Sequence, residues 1–439
     1  MMTPVSRLPL ISHATDDKHQ STFAAMHIAL VCRWYPPHTG FGGVAMHVYY
    51  LARALVEKGH RVTIVASRWS PDVPPLEEVD GIRVHRLLIK HHSWMHRLPV
   101  VGRHMRSIVQ ARYSVRVMRA LRGLEKSDPP NIVEFADIEA EGYAYLRQKK
   151  RRCPVVVRCH TPMFVLARYY QFEERPWSLQ GIEAREKYCI AHADALTAPS
   201  RDMARTIARE CSLPEERIAV IPNALDVEPF EQAVGQVKVR DTGDDVVVLH
   251  VGRLDRGKGI EVLANAIPLV LKEFASARFI FIGDDRADGQ ESTWRSRLEK
   301  KFRTDGVNER VMLLGSLGQQ EMMAWYGRAD IAVVPSLIYE SFSYTCAQAA
   351  AAGLPVVASR IGGIPETIDD GVAGIIAEPG NVEELAKGLL ELSRDKVKRL
   401  QMGVVGNEKA RRKFDSRQVA QRMVALYERT VASRVGKGA

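Results

Sequence analysis

Two successive series of short apolar segments, alternating with stretches of helical periodicity, constrain the fold of this chain more than any other feature. The first series occupies residues 27–31, 61–67, 131–135, 154–160, 195–200 and 218–224, and the second occupies residues 246–251, 278–283, 311–315, 331–336, 355–359 and 374–378. Such segments are typical of buried parallel strands joined by helical crossovers. The pattern predicts an α/β protein with two Rossmann-like, doubly wound parallel-sheet domains.

The polar, irregular segment 226–245 is interpreted as a linker between an N-terminal domain, residues 26–225, and a C-terminal domain, residues 246–415. Residues 1–25 lack the apolar run of a signal peptide and are predicted to form a flexible tail. Residues 416–439 have the pattern of a long helix. Folds of this class bind ligands at the carboxyl ends of their strands, so facing domains would place the site in the cleft between them.

Composition and charge narrow the class of protein. The 439 residues contain no apolar run long enough to span a membrane, and the six cysteines are scattered without a C-x-x-C pair, which favours a reducing cytoplasm. The formal net charge is +10. Ten arginines or lysines and no acidic residue lie between Gly81 and Leu124, so this segment should create a local positive field.

A glycine-rich loop, GRLDRGKG at residues 252–259, follows a predicted strand and precedes a predicted helix. Arg253 and Lys258 add two cations to the anion-binding tendency of a helix N-terminus, so the loop is predicted to bind a diphosphate. It lacks the G-x-x-x-x-G-K-[ST] pattern of a P-loop. The alternative is a solvated surface turn.

A second glycine-rich stretch, TGFGGVAMH at residues 39–47, contains Gly42 and Gly43. It matches a G-x-G-x-x-A dinucleotide fingerprint, but it does not follow its strand directly, and no acidic residue ends the next strand. Arg68 at that position leaves an NADP site open as an alternative. The simpler interpretation is a loop whose backbone amides approach the phosphates of a ligand across the cleft.

His160 ends a predicted strand in VVVRCHTPM, so we expect it to face the cleft; a histidine with a purely structural role is the alternative. Three other histidines, His91, His92 and His96, have no carboxylate or cysteine nearby, so no metal site is predicted there.

Glu340 lies in the loop PSLIYESFSYTC, just before a predicted helix that ends at Gly353. A carboxylate beside the amides of residues 341–343 is suited to accept hydrogen bonds from sugar hydroxyls. Gln348 follows two helical turns later and can accept from a hydroxyl without charge. Glu366, in IGGIPETI, is a further candidate at the end of another strand.

These motifs together resemble the retaining nucleotide-sugar glycosyltransferases of glycosyltransferase family 4, which have the GT-B architecture of two facing Rossmann-like domains with an interdomain cleft. The resemblance extends from Met26 over nearly the whole chain. The motifs that carry it are GGVAMHVYYLARALVEKGHRVTIV, HTP, APS, IPNALD, GRLDRGKG, VVPSLIYESFSYTCAQAAAAGLPVVAS and GGIPETIDDGVAG.

The resemblance implies roles for individual residues around the donor diphosphate. Arg253 and Lys258 match the pair that clamps the diphosphate in place of a metal, so no metal ion and no cofactor are expected. Gly42 and Gly43 match the loop whose amides meet the phosphates. The helix 416–439 would return to the N-terminal domain.

The resemblance also implies roles around the donor sugar. His160 matches the histidine near the reacting centre, and Glu340 matches the first glutamate of the E-x7-E signature, which contacts the sugar. The donor would also contact Ser341, Phe342 and Ser343. Glu366 and Asn223 are additional candidates.

Several positions depart from the family pattern. Gln348 replaces the second glutamate of the signature, which binds the ribose hydroxyls, so we expect weaker donor binding because a neutral hydrogen bond is weaker than a charge-assisted one. Ser341, Ser343 and Ala224 stand where glycine is common.

The expected activity is the transfer of a hexose from a nucleotide-diphosphate sugar, with UDP favoured over GDP, to a carbohydrate or lipid-linked acceptor, with retention of configuration. Surface polysaccharide or glycoconjugate synthesis is the implied setting. Two alternatives remain open: an inactive nucleotide-sugar-binding protein, suggested by Gln348, and a GT-B-shaped epimerase that needs no acceptor.

Within the basic segment, Arg112, Arg116 and Arg119 share one predicted helix face. They are candidates for peripheral contact with an anionic membrane or a lipid diphosphate acceptor, while a solvated helix face is the alternative. No nucleic-acid-binding module accompanies these charges, so no nucleic acid partner is expected.

Overall fold

The computed structural model of the protein describes residues 25–39, 42–89, 99–149, 151–169, 177–236, 245–285 and 292–435. Within these ranges the chain forms two α/β domains, each built on its own sheet. The predicted fold class is confirmed, and each predicted strand overlaps a strand of the structure. The predicted tail and the three histidines at positions 91, 92 and 96 lie outside the described residues.

The N-terminal sheet has the strand order β3-β4-β2-β1-β5-β6-β7-β8. Its strands are β1 (His27–Val31), β2 (Arg61–Arg68), β3 (Leu76–Val79), β4 (Ile82–Leu88), β5 (Ile132–Ala136), β6 (Val155–Arg158), β7 (Ala195–Ala198) and β8 (Ile218–Val220). All pairs are parallel except β3 with β4. The central strands are buried along their whole length, which explains their largely apolar sequences.

The hairpin β3–β4 was not predicted from the sequence. Its strands carry charged residues, Glu77 and Glu78 in β3 and Arg83 and Arg86 in β4, so they lack the apolar runs of the central strands. Asp80 and Gly81 connect them with φ angles of 52° and 74°. An Asp-Gly pair between alternating segments is a hairpin signal that could have revealed them.

The C-terminal sheet is parallel throughout its described strands, in the order β11-β10-β9-β12-β13-β14. Its strands are β9 (Val246–Val251), β10 (Ala277–Ile282), β11 (Val311–Gly315), β12 (Ile331–Val334), β13 (Val356–Ser359) and β14 (Gly374–Ala377).

Helices cover both faces of each sheet. Those before the first crossing between the domains are α1 (Gly43–Glu57), α2 (Pro99–Ser127), α3 (Tyr143–Leu146), α4 (Met163–Tyr169), α5 (Trp177–His192) and α6 (Arg201–Cys211). The others are α7 (Glu228–Gln236), α8 (Ile260–Glu273), α9 (Trp294–Thr304), α10 (Gln319–Arg328), α11 (Tyr344–Ala351), α12 (Ile364–Thr367), α13 (Val382–Arg394), α14 (Lys396–Lys413) and α15 (Ser416–Val435). No helix in the described ranges is both long and apolar enough to span a membrane.

The chain crosses between the domains twice, and the two crossing segments pair with each other. Leu225 N–H donates to the Phe414 carbonyl at 2.9 Å, and Ser416 N–H donates to the Leu225 carbonyl at 2.9 Å. Part of the expected linker is helical: α7 packs on α10 and α11 because Phe230 is fully buried against Tyr326.

The last helix, α15, packs on α1 of the N-terminal domain. Its Tyr427 hydroxyl is buried and donates to the Glu134 carboxylate of β5 at 2.6 Å. The C-terminal segment of the chain is therefore part of the N-terminal domain's core.

Candidate active site

The loop after β9 holds the two cations predicted to bind a diphosphate. Asp255 accepts a hydrogen bond from the Lys258 backbone N–H at 2.9 Å and so shapes the turn before α8. Gly259 has φ +71°, and a Cβ there would lie 1.7 Å from the Pro335 carbonyl oxygen. Glycine is therefore required where this loop meets the end of β12, and the loop is held in place by that contact.

Lys258 and Glu340 come together in the structure. The Lys258 ammonium forms an ion pair with the Glu340 carboxylate, which also accepts from the Ser336 hydroxyl at 3.1 Å. Arg253 lies in the same loop as Lys258 and pairs with Asp255 at 3.2 Å. The four side chains of these two ion pairs keep partial exposure to solvent, so both cations are accessible from outside the protein.

The glycines of the GGIPE motif pack against the backbone of the Glu340 loop and hold it in place. Gly363 N–H donates to the Glu340 carbonyl at 2.7 Å, and a Cβ on Gly362 would lie 2.4 Å from the same oxygen. Ser343 caps α11, because its hydroxyl accepts from the Cys346 N–H at 3.4 Å. The Phe342 ring is buried against Phe414. The side chains of Phe342 and Ser343 thus have structural partners, and their backbone amides are the groups that remain for a ligand.

His160 follows β6 at the edge of the N-terminal sheet that faces the cleft. Its backbone N–H donates to the Asp137 carboxylate at 3.0 Å. Burial, together with the nearby Arg158 guanidinium, holds the pKa of His160 well below its usual value. The imidazole is therefore uncharged at neutral pH.

The two domains contact each other around these groups. The Thr161 and Ser341 hydroxyls are hydrogen-bonded to each other at 3.0 Å, which joins the His160 loop to the Glu340 loop. On α1, a Cβ on Gly43 would touch the Tyr344 ring at 3.5 Å, whereas a Cβ on Gly42 would meet no atom within 4 Å. Gly42 therefore leaves open space at the start of α1, as an approaching phosphate would need.

Two further candidates have partners within the protein. Gln348 is buried, and its side-chain oxygen accepts from the Tyr326 hydroxyl at 3.2 Å. Asn223 is also buried, and its side-chain oxygen accepts from Arg158 at 2.9 Å. Asn223 therefore contributes to the packing of the crossing segment.

Glu366 reaches the opposite domain. Its two carboxylate oxygens accept from the backbone N–H groups of Arg201 and Asp202, at 2.9 and 2.8 Å, in the first turn of α6. Close by, the Tyr339 hydroxyl donates to the Asp202 carboxylate at 2.5 Å. Glu366 is thus a contact between the domains.

The basic helix face is only partly free. Arg112 and Arg119 are exposed on α2, but Arg116 is half-buried and donates to the Leu88 carbonyl. Arg68, considered above for a 2′-phosphate, donates to the carbonyls of Pro71 and Val73 at 2.8 and 2.6 Å. Among the described residues no group of three or more histidine, cysteine or acidic side chains could hold a metal ion.

An acidic cluster after β5 was missed by the sequence reasoning. Asp137, Glu139 and Glu141 are buried, and Asp137 contacts the His160 loop; Glu139 and Ala140 have φ angles of 60° and 53°. Arg33 pairs with Glu139 and Glu141. The signal was the acid-rich sequence ADIEAEG directly after a predicted strand, which places carboxylates at the cleft edge of the sheet.

Comparisons with known proteins match both domains. The model of the family described as Glycosyltransferase Family 4 matches residues 41–229, and that described as Glycosyl transferases group 1 matches residues 245–395. The D-inositol 3-phosphate glycosyltransferase of Xylanimonas cellulosilytica is 27% identical over 91% of this chain and 94% of its own length.

Solved structures agree on the fold. Sucrose-phosphate synthase from Thermosynechococcus elongatus has a TM-score of 0.73 at 22% identity, covering 93% of this chain and 100% of that one. The Anabaena protein Alr3699/HepE, in complex with UDP and glucose, has a TM-score of 0.67 at 16% identity, covering 92% and 99%. With both domains matched in order by the family models and both sheets arranged as in these structures, the chain belongs to the glycosyltransferases of family 4 and has the GT-B fold.

Proposed function

We propose that this glycosyltransferase transfers a hexose from a nucleotide-diphosphate sugar to a carbohydrate or lipid-linked acceptor, with retention of anomeric configuration. One observation carries the proposal: Arg253 and Lys258 lie in one loop before α8, and Lys258 reaches Glu340. A pair of cations for the leaving diphosphate thus stands beside a carboxylate for the sugar hydroxyls.

The leaving group is the main electrostatic problem of this reaction. As the glycosidic bond breaks, negative charge builds up on the departing nucleotide diphosphate. Arg253, Lys258 and the backbone amides at the start of α8 would stabilise that charge once the two cations exchange their carboxylate partners for the diphosphate. When the diphosphate takes the Lys258 ammonium, Glu340 is released to accept hydrogen bonds from the sugar.

His160 would act near the reacting carbon as an uncharged imidazole. A neutral ring can donate or accept a single hydrogen bond to a sugar hydroxyl, and it does not repel the oxocarbenium-like centre that forms as the diphosphate leaves. The acceptor would enter on the face from which the diphosphate departs, which retains the configuration. Contact between Thr161 and Ser341 would exclude the water that otherwise competes with the acceptor.

UDP is the favoured nucleotide, with GDP as the alternative. The Anabaena structure contains UDP and glucose, and it shares the fold of this chain. Arg253 and Lys258 supply positive charge where other transferases use a divalent cation, so we propose a metal-independent reaction. Use of such a donor fits a cytoplasmic enzyme that acts in the synthesis of a surface polysaccharide or glycoconjugate.

The decisive experiment incubates the protein with UDP-, GDP- and ADP-sugars, with and without a chelator and with a panel of acceptors, and measures nucleotide release and products. Nucleotide release that increases with acceptor and persists with the chelator supports the proposal. Tight donor binding without release would favour the inactive binding protein. A new nucleotide sugar formed without acceptor would favour the epimerase.

Contact with an anionic membrane remains part of the proposal, through the exposed Arg112 and Arg119 of α2. Basic residues near an anionic surface contribute about 1 kcal/mol each. The variant R112E/R119E should therefore sediment less with phosphatidylserine vesicles than the wild type, and the matched R209E, which changes an exposed arginine of α6, should not. Equal sedimentation of all three proteins would contradict membrane contact through α2.

A further inference from the structure

A second histidine, His47, packs against His160 and has no part in the chemistry above. His47 lies on α1, one turn after Gly43, and is fully buried. The two imidazole ring centroids are 5.3 Å apart, with an angle of 63° between the ring planes. Among the residues that the structure describes, the His160 ring makes no hydrogen bond. Its orientation therefore depends on the side chains packed against it.

The tautomer of His47 is determined by one hydrogen bond. The Ala224 N–H donates to His47 Nδ1 at 3.0 Å, so the proton of the ring lies on Nε2. This Nε2 is buried and has no hydrogen-bond partner among the described residues. Burial, with Arg158 and His160 nearby, holds the pKa of His47 well below its usual value, so the ring stays neutral at the pH of the cell.

Ala224 is also held by the other domain. The Tyr344 hydroxyl donates to the Ala224 carbonyl at 3.0 Å. Tyr344 is the first residue of α11, directly after the loop that contains Glu340. The contacts His160–His47, His47–Ala224 and Ala224–Tyr344 therefore form a continuous path. It leads from His160 in the N-terminal domain to α11, the helix that follows the Glu340 loop, in the C-terminal domain.

We propose that His47 is a positioning residue, which holds the His160 ring in place and links it through Ala224 to Tyr344 of the C-terminal domain. When the domains meet, Tyr344 fixes the Ala224 backbone, the Ala224 amide fixes the His47 ring, and that ring restricts rotation of His160. The inference rests on the proposed function, because it assigns His47 to the placement of a residue of that reaction.

The test compares three variants of the full-length protein. His47→Phe keeps an aromatic ring and removes the acceptor for Ala224, and Tyr344→Phe removes the hydroxyl on the other side of Ala224. The matched control is His27→Phe. His27 is also buried, and its ring is hydrogen-bonded to the Thr63 hydroxyl at 2.8 Å. It is the first residue of β1, at the end of the same sheet away from His160. Thermal unfolding, donor affinity and kcat are measured for each variant and for the double variant.

A displaced reacting group lowers turnover without loss of binding, so we expect kcat to fall about 10- to 100-fold in H47F and in Y344F, with donor affinity close to that of the wild type. Since both act along one path, the double variant should be no slower than the slower single variant. A kcat in H47F equal to that in H27F, or single effects that multiply in the double variant, would overturn the inference.

A second measurement is independent of turnover. Ring nitrogen shifts of ¹⁵N-labelled histidines, with His160 assigned from a His160→Asn variant, should change for His160 in H47F and Y344F and stay constant in H27F. Unchanged His160 shifts in both variants would overturn the inference even if the wild type transferred no sugar. Absence of transfer by the wild type, with the His160 shifts changed as expected, would instead count against the proposed function alone.

Discussion

Glu366 offers the sharpest test of how the two domains close on each other. Its carboxylate belongs to the C-terminal domain and caps the first turn of α6 in the N-terminal domain, through hydrogen bonds of 2.9 and 2.8 Å to two backbone amides. Because these bonds exist only when the domains meet, Glu366→Gln should destabilise the closed arrangement and leave each separate domain unchanged.

The size of the effect follows from the bonds that are lost. Glutamine keeps one acceptor oxygen, presents an NH₂ group to the other amide, and removes the charge that favours the helix N-terminus. A hydrogen bond to a charged group contributes about 1.5–3 kcal/mol, and partial exposure of Glu366 to solvent favours the lower end. About 1.4 kcal/mol corresponds to a tenfold change, so closure should become roughly tenfold less favourable.

The assay combines small-angle scattering with the partition of donor between acceptor and water. E366Q should show a larger radius of gyration, a kcat/KM for donor lowered about tenfold, and a larger fraction of donor lost to hydrolysis. The control is E378Q, which changes a glutamate of the same domain that pairs with Arg360 on the surface. If E366Q matched E378Q in radius, in kcat/KM and in hydrolysis, the closing role of Glu366 would be refuted.

Three further results are expected. Lys258→Ala should lower kcat about 100-fold or more, because it removes a cation that stabilises the leaving group, whereas a chelator should leave wild-type activity unchanged. Full activity of K258A, or inhibition of the wild type by the chelator, would contradict the proposed binding of the diphosphate by Arg253 and Lys258. Gln348→Glu should increase the affinity for UDP severalfold, as measured by calorimetry. A carboxylate at this position can still accept the hydrogen bond from Tyr326, and it offers the ribose hydroxyls a charge-assisted bond. An unchanged affinity would argue against contact between residue 348 and the ribose. Burial raises the pKa of Asp137 to about 7 from 3.8, so the native state favours the protonated acid and its stabilising contribution is lost as pH rises from about 4 to 7. The melting temperature of Asp137→Asn should therefore rise relative to that of the wild type over the same range, from about pH 4 to 7, and parallel curves would refute this.

Local sequence patterns were sufficient for the fold and for much of the candidate site. Buried strands of a parallel sheet are mostly apolar, and the residues that follow them lie at the cleft edge. Arg253, Lys258 and His160 could therefore be named from the sequence. The same reasoning reached Glu340, and the structure adds its ion pair with Lys258.

The sequence alone could not predict hydrogen-bond partners that are distant along the chain. Glu366 bonds an amide 165 positions away, and Asn223 bonds Arg158 65 positions away. Both look like ligand-binding candidates in isolation, because a polar residue after a strand carries no local sign of its partner. The buried acids after β5 were missed for a related reason: charged residues count as exposed unless a partner such as Arg33 is known.

The position of α15 has a consequence for how the protein is made. The N-terminal domain needs Tyr427 against Glu134 to complete its core, so the ribosome releases the final piece of the first domain only after the whole second domain has been synthesised. The C-terminal domain can finish folding while the N-terminal domain still exposes the surface of α1 that α15 later covers. Premature termination near residue 415 would therefore damage the half of the molecule that was translated first.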